Sequence, residues 1–356
     1  MDFNARINAF TTLGNFLSQF SNKGIIKKNN IEKNEIFFDL FSDQINMAYI
    51  HNSWFTKEQV LFACESWSTV LTKENITKWL ANYNLEDVNT KTPKSVAIIM
   101  AGNIPLVGFH DFLSVLISGH KAIIKQSTSD NILLPILAKY LMEIEAEFKG
   151  KIEFTTERIP HFDAVIATGS NNTARYFEYY FKDKPSIIRK NRNSAAVLTG
   201  HETNEELLAL GEDIFRYYGL GCRNVSKLFV PKDYDFDIFF KAIYAYKEII
   251  EEKKYANNYD YNKAIFLMSL FKLIENGFLM LKKDESFSSP IATLFYEEYE
   301  DLNKLRNYLS NKKDQIQCLV GNVSVITTVR FGLTQKPQLW EYADNIDTVD
   351  FLLKIY

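Results

Sequence analysis

The stretch "KSVAIIMAGNIPLVGFHDFLSVLISGHKAIIKQST", Lys94 to Thr128, changes its hydrophobic rhythm twice. "SVAIIM" is a short continuous apolar run, "LVGFHDFLSVLISG" repeats apolar residues at helical spacing as far as Gly119, and "KAIIKQ" is a second short run. Short apolar runs bounded by Gly, Asn and Pro read as strands, so the segment predicts strand, helix, strand. Two strands joined through a helix lie parallel, because a parallel pair needs a long crossover. The pattern then repeats. "FDAVIATGS" predicts another buried strand, "NNTARYFEYYF" a helix, and "SAAVLTG" a further strand. Alternating strands and helices predict an α/β protein with a mostly parallel sheet covered on both faces.

Upstream, residues 1 to about 90 read as helices. In "RINAFTTLGNFLSQF", Ile7, Phe10, Leu13, Phe16, Leu17 and Phe20 fall at three- and four-residue spacing. A second helix follows Ser53, with Thr56 as its cap and Cys64 on its apolar face. Downstream, Thr203 and Glu206 form a capping box that opens a helix, which Gly219 and Gly221 stop. "NVSKLFVP" predicts a strand, residues 236 to 282 are expected to be mainly helical, and "PIATLFYEEYEDLNKLRNYL" with "GNVSVITT" completes a second α/β region. The order of motifs puts a lobe boundary near residue 198.

Composition narrows the function. A chain of 356 residues with 46% hydrophobic residues suits two lobes. A net charge of -3 argues against nucleic acid as a partner, since polyanion-binding surfaces carry excess Lys and Arg. Asp2, Asn4 and Arg6 interrupt the apolar core a secretory signal would need, and no run of apolar residues is long enough to span a membrane. The expectation is a soluble cytoplasmic protein. Cys64, Cys222 and Cys318 form no CxxC pair, and the five histidines show no ligand spacing, so neither a disulfide framework nor a metal site is expected.

Four features could carry chemistry. Cys222, in "YYGLGCRNVSKLFVP", sits at a helix-to-strand turn, where a thiol can face a cleft on a rigid backbone. Gly219 and Gly221 permit close approach by a ligand, and Arg223 and Lys227 could favour the thiolate. The same features fit a helix C-cap followed by a small buried residue. In "AGNIP", Pro105 suits a first helical turn, leaving Asn103 at a strand's C-terminal edge, where its amide could donate to an oxyanion; alternatively it stabilises its own turn. Lys125 ends the "AIIK" strand, as a ribose or phosphate ligand or as a solvated terminus. Gly169 and Ser170 precede a helix whose N–H groups and dipole attract pyrophosphate.

Taken in order, these elements resemble the aldehyde dehydrogenase superfamily, and most closely its acyl-CoA reductase branch, related to the fatty-acid reductase of bacterial luminescence systems. The likeness spans roughly Ser95 to Gly332. It rests on "AGNIP" with its helix and "KQST" strand end, on "TGS", and on "GLGCRNVSKLFVP"; "RFGLTQKPQLW", with Phe331 and Gly332, is similar to a late segment that closes on the site. The resemblance implies a two-lobed fold with Rossmann-like parallel sheets and a helical N-terminal region. Residues 1–197 would hold the helices and the dinucleotide-binding domain, 198–330 the catalytic domain, and 331–356 a segment returning to the cofactor lobe. It implies Cys222 as nucleophile, Asn103 and the Cys222 N–H as oxyanion donors, and Lys125, Ser127, Thr128, Gly169 and Ser170 as cofactor ligands.

Three departures shape the expected activity. Arg189 stands where hydrolytic members carry their general-base Glu, which predicts slow hydrolysis and leaves reduction of an activated acyl group. Thr128 replaces the Glu of NAD-preferring members, which predicts NADPH. Ser286 replaces a Glu that holds the nicotinamide ribose. The expectation is thus an NADPH-dependent reductase acting on an acyl-CoA or acyl-carrier thioester, its rivals an aldehyde dehydrogenase that forms free acids and a non-catalytic nucleotide-binding subunit of a reductase complex. His201 could protonate the leaving thiolate, pack at a helix cap or face solvent. Residues 81–94 are too short for the relatives' oligomerisation hairpin, leaving a homo-oligomer or a reductase-complex partner open.

Overall fold

The structure, a computed structural model, describes residues 2–84, 91–159 and 161–356. The chain divides into two compact units, Met1–Lys190 with Gln338–Tyr356, and Asn191–Pro337. Both are α/β units built on largely parallel sheets, and the first begins with a helical region.

In the first unit, α1 (Phe3–Leu17), a two-residue hairpin of β1 (Phe20–Ser21) and β2 (Gly24–Ile25), α2 (Asn34–His51), α3 (Lys57–Val70) and α4 (Lys73–Leu80) come first. Phe10, Leu13, Phe16, Leu17 and Phe20 are fully buried, each such side chain contributing about 1.5–3 kcal/mol. Cys64 is fully buried among them, and desolvation pushes its thiol well above the ordinary range. Gly14 is required where α1 meets the end of α3, because an added Cβ would lie 2.4 Å from the Leu71 carbonyl oxygen. Gly14→Ala is expected to destabilise this unit by roughly 1–3 kcal/mol, read as a lower denaturation midpoint.

Five parallel strands follow: β3 (Ser95–Ile99), β4 (Lys121–Lys125), β5 (Ile152–Phe154), β6 (Ala164–Thr168) and β7 (Ser186–Arg189). They are interleaved with α5 (Phe109–Ile117), α6 (Leu133–Ile144) and α7 (Asn171–Tyr180). Their order is β5-β4-β3-β6-β7, so the chain winds outward from β3 to β5 and then resumes on the other side of β3. The C-terminal ends of β3 and β6 therefore flank a topological switch point, where open α/β sheets bind ligands. The helix expected at Pro105 begins instead at Phe109, because Leu106 adopts a left-handed φ of 57° that no helix tolerates.

The second unit carries β8 (Asn193–Val197), α8 (Asn204–Phe215), β9 (Val225–Pro231), α9 (Phe236–Ile243), α10 (Lys253–Met268), β10 (Leu273–Glu275), β11 (Met280–Lys283), β12 (Thr293–Tyr299), α11 (Leu302–Ser310) and β13 (Ile316–Val320). Its sheet runs β10-β11-β12-β9-β8-β13, parallel except for β10. The capping box of α8 forms as the sequence predicts. Residues 236–282 are mainly helical, as expected, except that their last part holds β10 and β11; the strand that closes the sheet is "IQCLV", Ile316–Val320, just upstream of "GNVSVITT". Gly321, at φ 143°, ends that strand, and Val323 then accepts from Ile326 and Thr327 in a turn.

The segment after Gln338, with α12 (Thr348–Lys354), belongs to the first unit. Trp79 Nε1 donates to the Tyr342 hydroxyl at 2.6 Å, the Tyr83 hydroxyl donates to Asp347 at 2.8 Å, and His120 Nε2 meets the Leu352 carbonyl at 2.9 Å. Burial lowers the His120 pKa to about 4, which keeps that ring neutral and packed. Residues 85–90, inside the 81–94 segment considered for oligomerisation, lie outside the described residues. Among the described residues, no helix is long and apolar enough to cross a membrane, and no group of His, Cys, Asp or Glu could hold a metal ion.

Candidate active site

In the first unit the C-terminal ends of parallel β3, β4 and β6 bring six candidate residues to one sheet edge. Asn103 lies four residues past β3, exposed, and its amide makes no hydrogen bond among the described residues, so the structure gives it no turn-stabilising bond. Lys125 closes β4, half-buried, and its ammonium has no ion-pair partner among the described residues. Ser127 Oγ accepts from Ser129 N at 3.2 Å, and Thr128 is exposed beside it. Gly169 and Ser170 lead from β6 into α7, where Ser170 Oγ accepts from Thr173 N at 3.2 Å as the N-cap.

An ammonium without an ion-pair partner among the described residues, two hydroxyls and a helix N-terminus at a switch point suit a dinucleotide, whose ribose hydroxyls and pyrophosphate need those donors. The turn after β4, "KQSTSD", contains a single cation. Loss of a carboxylate at Thr128 removes a repulsion but supplies no second cation for a 2′-phosphate, so preference for NADPH does not follow from it.

Asp130 ends that turn. Its Oδ2 accepts from Leu106 N at 3.0 Å, while Oδ1 is buried without a hydrogen-bond partner. Burial raises its pKa from 3.8 to about 7. A carboxyl that holds its proton longer in the folded than in the unfolded chain lowers stability as pH rises between those values. Stability is therefore expected to fall between about pH 4 and pH 7, by on the order of 4 kcal/mol for this group. Asp130→Asn is expected to flatten that slope, as read from denaturation midpoints across the window.

Cys222 belongs to the second unit, at the edge where its parallel strands begin. Immediately before it, Tyr217, Tyr218 and Gly219 adopt successive left-handed φ values of 54°, 60° and 78°, and Gly221 follows at 97°. Left-handed residues other than Gly cost about 1–2 kcal/mol each, so the surroundings must enforce the turn. Arg216 grips Glu212 through Nε and Nη2, and buried Asn224 donates from Nδ2 to the Arg216 carbonyl while accepting from Gln335 Nε2 at 3.1 Å. Ser194 Oγ donates to the Cys222 carbonyl at 3.0 Å and accepts from Cys318 N at 3.2 Å, which ties the turn to β8 and β13. The Cys222 side chain is half-buried, in contrast to Cys64 and Cys318, which are buried.

Arg223 and Lys227, the two cations that could favour the thiolate by charge, both make contacts elsewhere. Arg223 Nη1 points to Cys318 Sγ at 3.5 Å. Lys227 is sealed in the sheet, paired with Glu297 and donating to the Asp284 and Ser286 carbonyls at 2.8 and 3.3 Å. It fixes the loop that carries exposed Ser286. Gly332 is held by Asp213, which accepts from Gly332 N at 2.7 Å and from Thr334 N at 3.0 Å. Asp130, Asn224 and Gln335 have no sequence signal, since each acts on a backbone or side chain brought near only by the fold. His201 is exposed.

A family profile described as Acyl-CoA reductase (LuxC) matches residues 72–241. No curated protein matches the chain. Among solved structures, an indole-3-acetaldehyde dehydrogenase complexed with NAD+ is similar at a TM-score of 0.63 and 12% identity, covering 92% of this chain and 74% of that one. Aldehyde dehydrogenase 21 from Physcomitrella patens, in complex with the reaction product succinate, is similar at 0.65 and 12%, covering 100% and 84%. The NAD+ complex of an aldehyde dehydrogenase from Bacillus cereus is similar at 0.60 and 12%, covering 91% and 73%. The chain therefore has an aldehyde-dehydrogenase-like fold, with two α/β lobes, Rossmann-like parallel sheets and an N-terminal helical region.

These structures correct the expected activity. The solved relatives are dehydrogenases, two of them with NAD+ bound and one with a carboxylic acid as product, so the expectation of an NADPH-dependent reductase of acyl-CoA or acyl-carrier thioesters does not stand. The reasoning behind it fails at Arg189. That side chain is not a site group in the place of a base: it is buried at the end of β7, paired with Asp111 and donating to Thr348 Oγ1 at 3.1 Å. A structural cation says nothing about how water is activated elsewhere.

Proposed function

We propose that the chain is an NAD+-dependent aldehyde dehydrogenase that converts an aldehyde to its carboxylic acid through Cys222. We take it to be a divergent relative of the acyl-CoA reductase family, on the match over residues 72–241, without that family's reaction. The observation that carries the proposal is the half-buried Cys222 on a rigid left-handed turn, in a chain whose other unit has an open dinucleotide-type switch point.

The Cys222 sulfur adds to the aldehyde carbon, and the carbonyl electron pair moves to oxygen. The Cys222 N–H donates to the alkoxide so formed, and the resemblance gives Asn103 the role of a second donor. Bound NAD+ supplies the acceptor for the hydride that leaves this carbon. Hydride loss leaves a thioester on Cys222; water adds to its carbonyl carbon, the C–S bond breaks to return the thiolate, and the acid departs with one proton released to solvent. Lys125, Ser127 and Thr128 bind the adenosine ribose, and Gly169 with Ser170 admits the pyrophosphate to the start of α7. The test is incubation of the full chain with a panel of aldehydes and NAD+, with and without CoA, followed by product analysis. Free acid and NADH in equal amounts without CoA are expected. Absence of acid from every aldehyde, or product only when CoA is present, overturns the reading.

A further inference from the structure

We propose that Asp130 is a positioning residue for Asn103, its carboxylate tethering the loop between β3 and α5 in one strained conformation. The proposal rests on the reading of Asn103 as an oxyanion donor. Leu106, three residues beyond Asn103, is buried with φ 57°, a conformation an L-residue keeps only when its surroundings hold it. The partner of its N–H is Asp130 Oδ2. The two loops also touch directly: a Cβ on Gly102 would lie 2.6 Å from Ser127 Cβ and 3.2 Å from Asp130 N. Asn52 bridges them from the end of α2, with Nδ2 at 3.4 Å from the Gly102 carbonyl and 3.3 Å from the Ser129 carbonyl.

The Asp130 backbone is secured independently of its carboxylate. Asp130 N donates to Ser127 O at 3.1 Å, and Gln126 Nε2 donates to Asp130 O at 3.0 Å. The turn that bears Ser127 and Thr128 thus keeps its shape when the side chain is shortened, whereas Leu106 loses its tether. A buried carboxyl with one oxygen unpartnered is a costly way to hold an amide, which points to the loop it restrains rather than to stability.

The separating measurement is steady-state kinetics of the full chain with aldehyde and NAD+. Asp130→Ala is expected to lower kcat by about 10- to 100-fold while KM for NAD+ changes by less than about threefold. Asp130→Asn, which keeps an acceptor for Leu106 N–H, is expected to stay within about threefold of the unaltered protein. In the unaltered chain the Leu106 amide is expected to exchange with solvent more slowly than that of Asn103, a measurement that needs no variant to fold. An impaired Asn103→Ala beside an unimpaired Asp130→Ala overturns this inference alone; a fully active Asn103→Ala overturns the oxyanion reading and the inference with it. Equal exchange at Leu106 and Asn103, or equal losses in Asp130→Ala and Asp130→Asn, overturns it as well.

Discussion

Cys222→Ala is expected to abolish aldehyde-dependent formation of NADH, with kcat reduced about 1,000-fold or more, while the fold is retained. Removing a nucleophile that makes and breaks the covalent bond eliminates the pathway, and what remains is binding without chemistry. The substitution removes only a sulfur from a half-buried side chain, in a turn held by Asn224, Ser194 and the Arg216–Glu212 pair. Stability should therefore change by less than about 1 kcal/mol. Alkylation gives an independent reading. A small electrophile should modify Cys222 and inactivate the protein in equal measure, sparing Cys64 and Cys318, which are 0% and 3% exposed. A Cys222→Ala protein that still oxidises aldehydes at the original rate, or inactivation that tracks another cysteine, removes this sulfur from the reaction.

The βαβ rhythm of residues 94–128 was legible because buried parallel strands are continuous apolar runs, and the strands at Ser95–Ile99, Lys121–Lys125 and Ala164–Thr168 fall where that rhythm places them. The capping box at Thr203 was legible for the same local reason. Short strands were not. β5, β7, β10 and β11 have three or four residues each, too short for a period to emerge, and β10 and β11 follow α10 with little punctuation. Gly277 is the turn between them, at φ 91°. Long-range partners were also illegible: Asp130 holds an amide 24 residues away, and Asn224 is met by Gln335 from 111 residues away.

Arg189 shows how a motif match can lead to a wrong inference about a side chain. Matching a position to a relative's catalytic residue identifies a place in the chain, while the side chain's partners decide its role. Here a carboxylate on α5 and a hydroxyl on α12 receive the guanidinium, both inside the first unit. The same caution applies to Lys227, whose charge near Cys222 in sequence is balanced by Glu297 on the neighbouring strand.

That assignment of Arg189 makes a second strong prediction, on stability rather than turnover. Asp111 and Arg189 are 5% and 6% exposed, so Asp111→Ala leaves a guanidinium in the interior without its carboxylate, the Thr348 hydroxyl remaining among its partners. Breaking a buried pair from one side costs about 3–5 kcal/mol, since the desolvated charge remains. Arg189→Ala should cost a comparable amount by stranding the carboxylate. Removing both charges together, as in Asp111→Leu with Arg189→Met, should recover much of the loss, because an apolar pair of similar volume escapes the desolvation penalty. Denaturation midpoints of the four proteins close the cycle. The folded fraction of the double variant should turn over aldehyde at close to the original rate, as expected of a cation that ties β7 to α5 and α12. A stable double variant with activity reduced by orders of magnitude would instead make Arg189 part of the chemistry.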